Sequence, residues 1–341
     1  MIDITEQREL TPRERFIAAL ERRPLTGRLG GNRPPHFELV FYLTMEAFGK
    51  VHPLHRDYRQ WDQMEPRERD LHRQDMADIY IAIAERYEHS AIMVQPNPGT
   101  FEECAELIRL IRERTGDKYF LMKHGDVTFG IPPGGEMAEF CYRLVDEPAK
   151  VKAEMDALVD FQLRKAERQA KLGGLDGFTL CSDYCFNTGP FLRPRQFAEF
   201  ITPYLARLIQ GYRDLGFYVI KHTDGNIMPI LDQLLQTNPH ALHSLDPQGG
   251  VDIAEVKRLA GDRVCLIGHV NCGLLDTGTD EEVIASARYA LRSGMSGDPA
   301  GYIFSTSNCV YTGMRLARYE LMLDVWRREG YYPPSVSVDA E

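Results

Sequence analysis

The sequence predicts an α/β protein folded as a single-domain (β/α)8 TIM barrel, on three observations. First, eight short apolar or β-rich runs recur along the 341 residues: HFELVFY (36–42), SAIMVQ (90–95), YFLMKHG (119–125), FTLCSD (178–183), FYVIKHTDG (217–225), ALHSLD (241–246), VCLIGHVN (264–271) and YIFSTSN (302–308). Second, helix-sized segments separate most successive pairs. Strands that alternate with helices and stay apolar throughout belong to a parallel sheet buried on both faces. Third, no GxGxxG or P-loop follows an early strand. That argues against an open doubly wound sheet, whereas eight units close naturally into a barrel.

The helices carry their own punctuation. Thr11-Pro12-Arg13-Glu14 is a capping box with proline at the first helical position, ahead of Phe16, Ile17 and Leu20. Phe197, Phe200, Ile201, Tyr204, Leu205, Leu208 and Ile209 recur at helical spacing, with Pro203 predicted to kink that helix. Asp252 caps IAEVKRLA, Thr279 and Glu282 form a second capping box, and Gly294 is placed to end that helix. No repeat or low-complexity linker divides the chain, so residues 1–334 are read as one domain and 335–341 as a flexible tail.

Composition narrows the functional classes. Hydrophobic residues make up 43% and charged residues 26%, which is globular and not disordered. The 50 Asp and Glu against 40 Lys and Arg give a net charge of −10, opposite to a nucleic-acid footprint. No run approaches the ~18 apolar residues of a membrane span. The 7 cysteines, an odd number without a CxxC pair or an export signal, read as reduced thiols, and the cytoplasm is the expected location.

In a parallel barrel all strand C-termini open on one face, where catalytic groups gather. Those ends supply Glu38, Gln95, His124, Asp183, His222 with Asp224, Asp246, Asn271 with Cys272, and Asn308 with Cys309. Any one of them could simply cap a helix or satisfy a loop, Asp246 and Asp183 above all; the signal is their convergence. The densest segment is KHTDGN. His222 and Asp224, two apart on an extended strand, point to one side, and Gly225 lets the chain turn. His-x-Asp suits a metal site or a carboxylate-tuned histidine, and Cys309 is the candidate third ligand of a catalytic zinc with one open position. For Cys309 the alternative is a buried thiol.

At this point the chain resembles the uroporphyrinogen decarboxylase superfamily, especially its methyltransferase-like branch. The stretches that carry the resemblance are TPRERFIAALERRP, TGPFLRPRQFAEFITPYLARLI, HTDGN, DPQGGVDIAEVKRLAGDRVCLIGHVNCGLLDTGT and YIFSTSNCVYTGM, in matching order over most of 11–330. The family implies a (β/α)8 barrel. Its decarboxylases carry an arginine-rich segment after the first strand and an aspartate after the second; here stand FELVFYLTMEAFGK, without arginine, and IMVQPNPG, offering Gln95. Polycarboxylate substrates need cationic partners, so both departures count against decarboxylation. The other branch resembles corrinoid-dependent methyltransferases, whose zinc members use His-x-Cys and a late Cys. This chain keeps His222, has Asp224 in place of the Cys, and offers Cys309 near the last ligand.

The resemblance therefore implies transfer of a methyl group from a small methylated donor, a methyl ether in an O-demethylation, to a corrinoid (cobalamin) held by a partner protein. Expelling an alkoxide or phenolate requires a Lewis acid or proton donor at that oxygen. His222 and Asp224, with Cys309 and Glu38, are expected to hold zinc or form the acid network, with His124 and Asp183 orienting the substrate. Gln95, Asn271 and Asn308 would line the mouth, and Tyr184, Phe186 and Tyr311 would pack an aromatic ring, the alternative for each being ordinary loop packing. A homodimer stays open, as do a decarboxylase and a non-catalytic ligand-binding barrel.

Overall fold

The computed structural model describes residues 9–25, 33–297 and 301–332; the expected tail at 335–341 lies outside them. The strands are β1 (Ala91–Met93), β2 (Phe120–His124), β3 (Gly177–Leu180), β4 (Cys185–Phe186), β5 (Gly189–Pro190), β6 (Tyr218–His222), β7 (Ala241–His243), β8 (Cys265–Val270) and β9 (Tyr302–Thr306). Seven of them form one parallel sheet in the order β1-β2-β3-β6-β7-β8-β9, while β4 and β5 pair as a small antiparallel hairpin. Helices follow the sheet strands in alternation.

Period-2 alternation sends side chains to both faces, and both are apolar. Ile92, Leu121, Phe178, Val219, Leu242 and Leu266 pack outward against the helices. Met93, Met122, Ile220, Ala241, Ile267 and Ile303 join Phe37 in an interior cluster. The helix Pro12–Leu20 closes one end of that interior: Phe16 lies 4.8 Å from Phe120, at the start of β2, and 5.6 Å from Phe37. Its predicted capping box is present, Thr11 Oγ1 accepting from Glu14 N and Glu14 from Thr11 N. The second box, Thr279 with Glu282, opens the helix Asp280–Gly294, and Asp252 caps Ile253–Ala260. At Pro203 the predicted kink is a full break: one helix ends at Phe200 and the next starts at Thr202, with Ile201 off helical geometry.

The first expected strand differs. Residues 36–42 form no continuous strand; His36 bridges in parallel to His89 and to Phe304, and Phe41 to Val310. The reason is a side chain that replaces backbone. The Thr306 N–H, which a neighbouring strand's carbonyl would take, donates to the Glu38 carboxyl at 3.1 Å. The segment nonetheless lies between the two edge strands: Ser90 N donates to the His36 carbonyl (2.6 Å) and Phe304 N to that of Pro35 (2.9 Å). Buried side chains reinforce it. His36 Nδ1 donates to the Phe304 carbonyl (3.0 Å), leaving His36 Nε2 to accept from the Tyr319 hydroxyl (3.1 Å), which in turn accepts from His89 Nε2 (3.0 Å).

Candidate functional site

With the closed end plugged by Phe16, the polar groups lie at the strand C-termini. β6 ends on His222, and Asp224 follows two residues later. The turn needs Gly225 (φ +76°), where a Cβ would stand 2.5 Å from the Cys185 carbonyl. The loop after β3 brings in Asp183. One oxygen each from Asp183 and Asp224 and one nitrogen from His222 lie within 4.8 Å of one another. His222 Nε2 is 3.8 Å from Asp183 Oδ1 and 3.7 Å from Asp224 Oδ1. The third donor brought to the pair is thus Asp183, not Cys309. The Cys309 thiol is half-buried against the interior cluster, and burial, then Asp224, push it up to about 12.

Each member is held. Asp224 accepts from Ser244 Oγ (2.8 Å) and from Asn308 Nδ2, and its own N–H donates to Asp183 Oδ1 (3.0 Å). Burial, then the neighbouring Asp183 charge, raise Asp224 to about 7. His222 is buried, and that burial lowers it to about 4, although Asp183 opposes the shift. His222 Nδ1 lies 2.8 Å from Nδ1 of His243, its register partner across β6 and β7.

Beneath the loop sits a buried ion pair. Lys221 Nζ donates to Asp126 Oδ2 (2.8 Å) and to the Ser182 carbonyl (2.9 Å), and Asp126 also accepts from Ser182 N (3.0 Å) and Thr128 N (2.9 Å). These bonds grip the residue preceding Asp183. Burial alone would raise the Asp126 carboxyl, but Lys221 and the hydrogen bonds from Thr128 together outweigh it and hold it at about 2.

Glu38 occupies the other side, fully buried. Thr306 Oγ1 contacts both Glu38 Oε2 and the Asn308 carbonyl (2.7 Å for the latter). A hydroxyl has one proton and a carbonyl only accepts, so when Thr306 donates to Asn308 the Glu38 carboxyl must supply the other proton. Desolvation agrees, raising Glu38 to about 8 against the hydrogen bonds from Thr306 and Ser305.

Other expected residues fall variously. His124 ends β2 and is exposed. Tyr311 is exposed and stacks on Tyr42 (6.3 Å), which stacks on His55 (4.5 Å); Phe186 is exposed beside Phe191. Tyr184 instead belongs to the core, its ring against Phe197 (5.0 Å) and over Lys221 Nζ (4.1 Å), its hydroxyl 2.6 Å from Thr128 Oγ1. Asn271 Oδ1 caps Gly273 N (3.0 Å), and Asp246 caps Gln248 N (2.9 Å). Gln95 Oε1 is buried without a hydrogen-bond partner among the described residues. Lys221, Asp126 and His243 were not anticipated. The signal for Lys221 was a lysine inside an apolar strand; Asp126 stands just past the His124 strand end, and His243 ends its own.

A parallel α/β fold with acid and imidazole groups at its strand ends defines a class of barrel-like enzymes. Within it the chain belongs to the uroporphyrinogen decarboxylase (URO-D) family, whose family model matches residues 131–329. No curated protein matches the chain. Among solved structures it is similar to a methyltransferase from Methanosarcina mazei, with TM-score 0.69 and 16% identity over 94% of this chain and 98% of that one. A GH5_18 protein from Streptomyces cattleya, solved in complex with GlcNAc, has TM-score 0.52 and 12% identity over 89% of this chain and 82% of that one. Both are likenesses of fold. Among the described residues no helix is long and apolar enough to cross a membrane.

Proposed function

We propose that this chain is a methyltransferase of the family, moving a methyl group from a small O-methylated donor to a corrinoid carried by a partner protein. One observation carries the reading: an imidazole nitrogen and two carboxylate oxygens, delivered from two strand ends, lie within 4.8 Å of one another at the open end of the sheet. The donor set fits a divalent cation such as zinc. Among the described residues neither Asp183 nor Asp224 has a Lys or Arg within ion-pair reach; the one basic side chain within 4 Å of either is His222. Two carboxylates crowded without a counter-charge, beside an imidazole, suit a nitrogen- and oxygen-liganded metal. Asp183, His222 and Asp224 would hold it, and a metal there supplies Lewis acidity at the departing oxygen.

The chain's own residues do the rest. Ser244 and Asn308 orient Asp224, while Lys221 and Asp126 anchor the loop that carries Asp183. Glu38, kept protonated by burial, would serve as a proton source linked through Thr306 to Asn308, which in turn donates to Asp224. Tyr311 and Phe186 offer exposed aromatic faces to a ring-bearing donor. The partly exposed Asp183 carboxylate leaves the cluster accessible from solvent, which suits a corrinoid delivered by a second protein, and nothing calls for a nucleic acid.

The test is elemental analysis of the purified protein, then anaerobic incubation with reduced corrinoid and a panel of methyl ethers, alcohols and amines. Methyl-cobalt formation, followed by absorbance, is expected with an ether. Release of CO2 from a carboxylated substrate, with no methyl-cobalt from any donor, would favour the decarboxylase reading that the family name carries.

A further inference from the structure

We infer that His243 is a positioning residue that fixes the tautomer of His222, so that the Nε2 lone pair of His222 faces Asp183 and Asp224. The effect on metal affinity rests on the cation site proposed above; the tautomer does not.

A backbone carbonyl fixes the first proton. His243 Nε2 lies 3.2 Å from the Thr306 oxygen, which can only accept, so that nitrogen carries a hydrogen. A neutral imidazole has one N–H, and Nδ1 of His243 is therefore bare. It sits 2.8 Å from His222 Nδ1, a contact that needs one proton between the two nitrogens, and only His222 can supply it. Burial keeps the His222 ring neutral, so with its one hydrogen on Nδ1 it is left with a bare Nε2, the atom 3.7 Å from Asp224 and 3.8 Å from Asp183.

His243 itself is neutral because nothing rewards its charge. It is buried, and its described contacts are the His222 ring, the Thr306 carbonyl and the Phe37 ring at 6.1 Å. The register pairing His222↔His243 is what sets the two rings side by side. Ligand orientation by a group behind the coordinating histidine is how metal sites gain affinity, and its loss costs about 10–100-fold.

The experiment has two readouts. Imidazole nitrogen NMR of the chelator-treated, 15N-histidine-labelled protein is expected to show a residue, assigned by its loss in His222→Gln, with Nδ1 protonated and Nε2 bare. Zinc affinity, measured by competition with a chromophoric chelator, is expected to fall about 10–100-fold in His243→Leu. In His243→Asn, whose Oδ1 can accept the same N–H, it should stay near the wild-type value. A wild-type His222 protonated on Nε2 overturns the inference, as does zinc binding of measurable and equal affinity in folded Leu and Asn variants. If His243→Leu does not fold, the wild-type NMR result decides alone. The expected tautomer with no zinc bound to any protein upholds the positioning and removes the cation site instead.

Discussion

His222 is the nitrogen donor of the trio, and it is buried at the end of β6 with its side chain committed to the site and to His243. Substitution by alanine therefore removes site chemistry with little effect on the apolar core. His222→Ala should lower the methyl-transfer rate by about 10²–10⁴-fold in a protein that still folds, at a stability cost of about 1–3 kcal/mol for the buried His243 Nδ1 left without its partner. An unimpaired rate would take His222 out of the mechanism. Glu38 makes a separate prediction through pH. Its carboxyl titrates at about 8 in the fold against an ordinary 4.5, so the unfolded chain releases that proton first. Its contribution to stability is complete below about pH 4.5 and declines as pH rises through 8. Glu38→Gln keeps a neutral group there and should flatten unfolding-against-pH curves across that window; parallel curves for the two proteins would mean that Glu38 is ionised in the fold. His222, Asp224 and Asp183 were legible because strand ends can be read from apolar runs. Asp126, Lys221 and His243 were not, since their importance depends on register and on which loop a buried charge grips, neither of which the sequence displays.

Elements whose signals are local were read most directly. The helix Pro12–Leu20 is announced by its capping box and its Phe16, Ile17 and Leu20 spacing, and it forms as read. What spacing alone does not reveal is its place as a plug at the closed end of the interior, where Phe16 touches Phe37 and Phe120. Phe16→Ala should destabilise the protein by about 3–5 kcal/mol, measurable by denaturant unfolding, with substrate binding at the far end unchanged in the folded fraction. A loss under 1 kcal/mol would show that the interior is closed by other side chains. The segment 36–42 is the converse case. Its apolar residues have strand composition, but the Glu38 carboxyl takes a backbone donor from β9 and interrupts the ladder. A buried carboxyl thus costs the sheet a regular strand, a local side-chain interaction overriding strand propensity.

At the scale of the molecule, the seven-stranded sheet leaves β1 and β9 as edges, and the 35–42 segment lies between them on single bridges. Backbone bonds there do not form a continuous ladder, and the His36–Tyr319–His89 chain, whose tyrosine comes from the helix Leu316–Glu329, adds to the connection. Tyr319→Phe keeps the ring that packs on Phe41 (5.1 Å) and Tyr87 (5.2 Å) and removes only the hydroxyl. Two imidazole nitrogens in a fully buried place then lose their partner, at about 1–3 kcal/mol for each group left unsatisfied. Hydrogen exchange locates the effect. The amides of Ser90 and Phe304, which donate to the His36 and Pro35 carbonyls, should exchange faster, while those of β3 and β6 in the middle of the sheet hold their protection. Equal acceleration along every strand would make the hydroxyl a contributor to global stability alone. Unchanged exchange at Ser90 and Phe304 would mean that the bridging segment is held by its apolar side chains, Phe37 and Phe41, without help from the histidines.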